Sequence, residues 1–372
     1  MRREWRASAQ HESVTYKTHA RAAAGSRTVP LPIMIGPESA VRPRILHVGL
    51  GPLGRIVQSD LAARGPGRAV AAVDVDPALA GLPLGELCRG APLEVRVLSS
   101  LDRIQDWESI DAAILTTSSD LRVCAPTLKA LAERGISTVS TCEELLWPWL
   151  RHPALARELD EVARANGVAL LGTGVNPGYL MDALPVFLSA AALEVRKVHI
   201  WRVQDASARR VPFQKKIGAS LDRSAFAARI ADGSLRHVGL GESLHFVAHC
   251  LGWQVERWEE TIEPVLAERR LESALGPIEP GRAAGVRQVA RGWVGGEERL
   301  TLEFQAAIGQ ANPHDRVLLE SDPPLDLVLS GGVHGDRATS ALVLNCIGPL
   351  LDAPVGLATM ASIRMPRCAR EV

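Results

Sequence analysis

Two hydrophobic periods alternate along the first half of the chain. Short apolar runs recur between longer stretches whose apolar positions return every three or four residues. The first run is 45–50, Ile-Leu-His-Val-Gly-Leu. A helix-like stretch follows at 55–63, then a second run, 69–73, that ends on Asp74. Strand, turn, helix and strand in this order predict a βαβ unit. The alternation continues with a strand at 111–117, a helix over 121–135 stopped by Gly135, a strand at 138–142, an Ala- and Glu-rich helix over 153–166, and a strand at 168–172. This pattern predicts an α/β fold whose first domain is a Rossmann-type, doubly wound parallel sheet.

The pattern changes after Val195. Residues 196–203 form a strand pattern with mixed faces. The runs 288–293 and 299–305 flank Gly295-Gly296, and 317–320 and 325–329 flank Asp322-Pro323-Pro324. Adjacent strands joined by such turns predict an α+β domain with a largely antiparallel sheet. Helices are expected near 224–230 and 242–251, and a last one over 336–351 is apolar enough to pack back on the first domain. The expected organisation is an extension at 1–42, a Rossmann domain at 43–190, a substrate and dimerisation domain at 191–335, and a returning helix with a tail at 336–372.

Charge narrows the partners. Lys plus Arg equals Asp plus Glu at 42 each, so no net field draws nucleic acid or an anionic membrane. Aromatic residues make up 4%, which weakens any base-stacking function. The most apolar stretches, 180–195 and 338–360, are broken by Asp and Pro, so no membrane span is expected. The six cysteines have no CxxC spacing, so neither a zinc site nor a redox dithiol is expected, and reduced thiols in a cytoplasmic protein are. Residues 1–42 are rich in Arg, Ala, Ser and His without a hydrophobic segment. They fit a disordered extension, or a start placed too early with Met34 in frame, with an organellar transit peptide as the minor alternative, rather than a secretory signal.

Gly49, Gly51 and Gly54 match G-x-G-x-x-G in its required setting, after a strand and opening a helix. Gly49 allows the tight turn, Gly51 lets backbone approach a pyrophosphate, and Gly54 lets the helix pack close to the strand. With Pro52 and Leu53 they form a phosphate cradle at a helix N-terminus. Asp74, twenty residues past Gly54, stands where an acid receives the adenosine ribose hydroxyls and repels a 2′-phosphate. Val75 follows it, not Arg. The expected cofactor is NAD or NADP, with NAD preferred.

Ligands of open α/β sheets sit at the carboxyl ends of the strands, where three further segments fall. Thr116, Thr117 and Ser118 offer hydroxyl and N–H groups beside a cofactor. Glu143 and Glu144 put two carboxylates after a strand, although acids there also suit a helix start. Asn176, in Gly-Thr-Gly-Val-Asn-Pro-Gly, offers an amide to the nicotinamide or substrate, or simply forms a turn before Pro177. Trp147, Tyr179 and Trp201 are candidate walls of an apolar substrate pocket, and His334 a candidate to reach over it. Core packing competes for the aromatics and loop structure for the histidine. Lys215 and Lys216 form a basic pair, solvated by default, with a carboxylate or a cofactor phosphate as the alternative partner.

These motifs resemble those of 2,4-diaminopentanoate dehydrogenase and the native amine dehydrogenases, within the dihydrodipicolinate-reductase-like superfamily. The segments that carry the resemblance are VGLGPLG at 48–54, VSTCEELLWPW at 139–149, GTGVNPGYLMD at 172–182, KKIGASL at 215–221, HVGLGES at 237–243 and GGVHGDRATSAL at 331–342. The resemblance implies reversible oxidative deamination of an amine, or reductive amination of a carbonyl with ammonia, using NAD(P)H and no metal. It also implies an essential glutamate, Glu143 or Glu144. Strand alternation lets only one of them face the cleft, and Glu143 is preferred. A homodimer through the antiparallel sheet is implied too. An NAD(P)H-dependent imine or carbonyl reductase, or a non-catalytic dinucleotide-binding protein, are the alternatives.

Overall fold

The computed structural model describes residues 42–368, so the expectation for 1–42 falls, apart from Arg42, outside the described residues. From Arg42 to Ser189 strands and helices alternate: Arg44–Val48 (β1), Pro52–Arg64 (α1), Arg68–Val73 (β2), Leu84–Leu87 (α2), Val97–Leu98 (β3), Ala112–Leu115 (β4), Leu121–Ala132 (α3), Ser137–Ser140 (β5), Pro153–Ala165 (α4), Ala169–Gly172 (β6) and Leu184–Ser189 (α5). Then come Glu194–Asp205 (β7), Val211–Lys216 (α6), Arg223–Ala231 (α7), Leu240–Cys250 (α8), Arg257–Leu266 (β8), Ala283–Val294 (β9), Glu297–Ala307 (β10), His314–Asp322 (β11), Leu325–Ser330 (β12), Gly335–Leu351 (α9) and Gly356–Ala358 (β13).

The first sheet runs β13-β6-β5-β4-β1-β2-β3, and every pair in it is parallel. Period-two geometry splits its strands between two cores. Ile45 packs with Val57 and Leu61 of α1 and Val343 and Ile347 of α9, whereas Leu46 and Val48 pack with Leu121 and Leu128 of α3 and Leu159 of α4. Both faces are therefore covered, as an all-parallel sheet requires. Strand order reverses between β1 and β4, which opens a crevice at their carboxyl ends.

The second sheet runs β12-β11-β7-β10-β9-β8 and is antiparallel except where β7 meets β10. Gly295 and Gly296, both at positive φ, make the two-residue turn between β9 and β10. Val198 and Ile200 of β7 and Leu300 and Leu302 of β10 pack on Leu244 and Phe246 of α8, in the same cluster that holds α1 and α9, so one core joins the two sheets. Two strands depart from expectation. β8 carries Pro264 and alternating charges, which hide it; the position is tolerable because β8 is an edge strand. β13 adds a strand to the first sheet where only a tail was expected, and three residues are too few to show a period. Among the described residues no helix is long and apolar enough to cross a membrane.

Asp182 lies in the single π-helical turn Tyr179–Ala183 that leads into α5, fully shut from solvent. Its Oδ2 accepts the Gly178 N–H at 2.5 Å, and Oδ1 has no partner. Burial pushes its carboxyl up from 3.8 to about 7, against the hydrogen bond from Gly178. Because the folded value is the higher one, stability is full below the unfolded pKa and is lost as pH rises through 7. Between pH 5 and 8 that loss is roughly 2–3 kcal/mol. Asp182→Asn removes it, so thermal melts should show wild type losing several degrees more than the variant over that interval. Parallel losses would refute the assignment.

Candidate active site

The glycine turn is fixed from beneath by a buried polar knot. Thr116 Oγ1 donates to the Gly49 carbonyl at 2.6 Å and lies 3.0 Å from His47 Nε2. Burial holds His47 down to about 4, so the ring is neutral. Gln58 Oε1 stands 2.9 Å from the other ring nitrogen, Nδ1. From the side, Asp74 Oδ2 accepts the Leu50 N–H at 2.5 Å and Oδ1 the Asp76 N–H at 2.8 Å.

Each glycine meets a different constraint. Gly49 has φ +96°, which favours glycine. At Gly54 a Cβ would fall on the Gly49 carbonyl and 2.7 Å from Thr116 Oγ1. At Gly51 nothing stands within 4 Å, and the residue is exposed. Gly51 is also the N-cap of α1 and contributes no side-chain cap, with Pro52 in the first turn. An open approach to an uncapped helix N-terminus fits a pyrophosphate.

A cleft of about 380 Å³ begins at Gly51, Pro52 and Leu53 and extends to the second sheet, past Thr116–Ser119, Glu143, Asn176, Arg202, Lys216, Arg236, His237 and Phe304. The two glutamates part at the end of β5, where the chain enters a 3-10 turn, Glu143–Leu146. With three residues per turn, successive side chains there point well apart. Pleat alternation, the expected reason, does not apply. Leu145 and Leu146 anchor the turn in the core, and Glu143 lines the cleft with its side chain 19% exposed. Glu144 faces the other way. Its Oε2 accepts the Leu121 N–H at the start of α3 (2.9 Å) and lies 2.8 Å from His152 Nε2. Asp120 completes this group and caps α3 through the Arg122 N–H, so the three side chains, though near enough to share an ion, are spent on a helix start.

Burial raises the pKa of Glu143, opposed by Lys216, a hydrogen bond from Ser119 and Arg236. Lys216 Nζ lies 3.9 Å from Oε1, and Oε2 is buried without a partner. Asn176 Nδ2 lies 2.9 Å from His237 Nε2. Burial, then Lys216, Arg202 and Arg236, hold His237 well below its usual pKa, so its Nε2 is free to accept, and Asn176 Oδ1 is left buried without a partner. His237 is itself set by stacking on Phe304 (4.4 Å) and by its N–H to Gln288 Oε1 (2.7 Å).

The four residues expected to wall the substrate pocket do not line the cleft. Trp201 alternates with Ile200 and Arg202 along β7 and so lies on the outer sheet face, stacked on His199 at 3.4 Å with Arg316 over its ring. Trp147 joins Trp149, Phe246 and His249 in an aromatic group. Tyr179 is 38% exposed. His334 caps α9 by accepting the Arg337 N–H, while its neighbours Gly335 and Asp336 reach the cleft. Arg202, Arg209, Arg210, Arg236 and His237 were missed; only the HVGLGES segment pointed toward the last.

Residues 179–371, just over half of the chain, match the model of the 2,4-diaminopentanoate dehydrogenase C-terminal domain family. The chain is 28% identical over 277 residues to 2,4-diaminopentanoate dehydrogenase of Acetoanaerobium sticklandii, covering 73% of this chain and 78% of that one. It is 22% identical over 336 residues to an amine dehydrogenase of Streptomyces virginiae, covering 82% and 89%. The solved amine dehydrogenase of Mycobacterium smegmatis superposes with a TM-score of 0.77 at 23% identity, over 89% of this chain and 98% of that one, which shows the shared fold.

Gly54→Ala should cut dinucleotide affinity by at least about tenfold, because α1 cannot stay against β1 and the cradle loses its shape. Titration of bound reduced cofactor by fluorescence measures it. Unchanged affinity would mean that the turn does not hold the cofactor.

Proposed function

Because the chain belongs to the 2,4-diaminopentanoate dehydrogenase family, we infer that it is an oxidoreductase that interconverts an amine with the corresponding carbonyl compound and ammonia, with Glu143 as its proton-transfer group. The observation that carries this is a partly buried carboxylate in the cleft, with one oxygen shut from solvent and unpartnered, at the carboxyl edge of the sheet beside the glycine turn. The bound nicotinamide dinucleotide supplies or accepts the hydride. Around it, ammonia attacks the carbonyl carbon, and the carbinolamine loses water as Glu143 gives and retakes a proton. Its pKa, raised by burial, makes the carboxyl a readier proton donor than an exposed glutamate. The ionised carboxylate then stabilises the iminium cation, and Asn176 Oδ1 accepts an N–H from the same nitrogen. Asp74 beside the ribose end and the absence of an adjacent Arg favour NAD over NADP.

We place the protein in the cytoplasm, where its six free cysteines stay reduced. Its assembly is a homodimer through the outer face of the six-stranded sheet. A depression there is lined by strand residues alone, with Arg287, Arg291 and Arg299 set among Glu298, Glu303 and Glu320, a mix that can complement its own copy. Light scattering coupled to size exclusion should give twice the monomer mass; a monomer would refute it.

With ammonium and a panel of carbonyl compounds, the protein should oxidise NADH faster than NADPH. Glu143→Gln should lower kcat by roughly 10²–10⁴-fold while retaining cofactor binding. Glu144→Ala should instead cost about 1–2 kcal/mol of stability through the lost helix cap and keep most of its turnover. Full activity in the Glu143 variant, or turnover equally fast without ammonium, would overturn the assignment.

A further inference from the structure

Asp182 is an acid that its own contact does not require. Its side chain is fully shut from solvent in the turn Tyr179–Ala183, and among the described residues no Lys or Arg charge acts on it. Its Oδ2 accepts one N–H, that of Gly178, at 2.5 Å. An asparagine of the same shape would accept that N–H without the cost of burying a charge. What a carboxyl adds there is a charge that changes with pH. Oδ1, which has no partner, is where the proton sits.

The N–H that Asp182 accepts belongs to the turn that carries Asn176. Pro177 has no N–H, so Gly178 offers the first backbone donor after Asn176. Elsewhere the turn is gripped by shape. A Cβ on Gly178 would collide with the Gly174 nitrogen, and one on Gly239, at the start of α8, with Pro177 Cγ. Upstream, the Val175 N–H donates to Thr339 Oγ1 at 3.2 Å. Asp182 therefore supplies the polar hold on the downstream side of Asn176, whose Nδ2 turns to His237 and whose Oδ1 stands unpartnered in the cleft. Few charged groups face Asp182. The helix α5 has no titratable residue, and β7 is apolar where it joins the cluster of Leu180 and Met181, at Val198 and Ile200. From α8 come Glu242, which pairs with Arg151 at 2.6 Å and whose charge disfavours that of Asp182, and Cys250.

We propose that Asp182 is a positioning residue for Asn176: its carboxylate holds the Asn176-Pro177-Gly178 turn from behind and so fixes where the Asn176 amide stands in the cleft. Ionised, it makes a charge-assisted bond to the Gly178 N–H; protonated at Oδ1, it makes a weaker neutral one. Burial brings that change to about pH 7, so the turn tightens as pH rises through neutrality, over the same interval in which the fold loses stability. The inference rests on the amine dehydrogenase reading only for what Asn176 does to a substrate. The hold on Asn176 stands on the hydrogen bond and its place in the turn.

The test uses the full-length chain as wild type, Asp182→Asn and Asp182→Ala, with side-chain amides labelled for magnetic resonance and the Asn176 signal identified by its loss in Asn176→Asp. In wild type the Asn176 amide resonance should move through one transition near neutral pH. In Asp182→Asn, which keeps an acceptor and cannot ionise, that transition should vanish. Asp182→Ala should displace the resonance at every pH. Turnover gives a second readout. The pH profile of kcat/KM for reductive amination should lose the same step in Asp182→Asn, and Asp182→Ala should lose activity on the order of 10–100-fold, carried by kcat. A merely structural side chain would lower the melting temperature of Asp182→Ala and leave the resonance and the pH profile of Asp182→Asn as in wild type, a result that would overturn the proposal. Should Asp182→Ala fail to fold, the comparison of wild type with Asp182→Asn decides alone. A transition of the Asn176 resonance that depends on Asp182, without any ammonium-dependent turnover, supports the hold on Asn176 and sinks the amine dehydrogenase assignment alone.

Discussion

Exclusion of water between the two sheets governs nearly everything at this site. The hydrophobic cluster that joins α1, α9 and α8 closes the base of the cleft, and the charged groups above it lose hydration. Desolvation is the leading cause of the shifts at both Glu143 and His237, and it acts on them in opposite directions. It makes the carboxyl easier to protonate and the imidazole harder. One becomes a carboxyl that holds its proton more readily than an exposed glutamate, and the other a fixed neutral acceptor that orients an amide. The same low-dielectric surroundings that set these states would strengthen any charge developing on a substrate nitrogen.

The two sheets divide the labour. The parallel sheet contributes the glycine turn, Glu143 and Asn176, all on loops that leave strand carboxyl ends and all braced by backbone hydrogen bonds. Its geometry is set locally: Gly54 against the Gly49 carbonyl, Thr116 and Asp74 beneath and beside the turn. The antiparallel sheet and its helices contribute Arg202, Lys216, Arg236 and His237. Those groups gain meaning only when the second sheet is laid over the first.

That division explains what could be read in the chain beforehand. The βαβ unit and its glycines were legible because strand, turn and helix lie within one short stretch and each glycine answers a local steric demand. The choice between Glu143 and Glu144 was legible only as a choice. A 3-10 turn separates them, and apolar periodicity does not reveal a single turn of 3-10 helix. Trp201 was misplaced because the face of β7 is decided by pairing with β10 and β11, far away in sequence. β8 was hidden by Pro264 and its glutamates, which an edge position permits. Arg236 carried no local signal at all, since an arginine in a loop is ordinarily solvated. Its interest comes from burial, which tertiary packing imposes.

A consequence follows for how such an enzyme selects its amine. Proton transfer and hydride transfer need only the reacting carbon, its nitrogen and the groups of the parallel sheet, so they are indifferent to the remainder of the substrate. Selection must then come from the far wall, where the cost of leaving a buried charge unpaired is largest. A wall presenting a buried, unpaired charge rejects a neutral substrate because that charge would stay unsatisfied in the complex. A wall of apolar side chains would reject the acid because its carboxylate would be buried alone. The chemistry could stay constant while the wall changes, since a substitution on the far wall alters no covalent step and leaves the glycine turn in place.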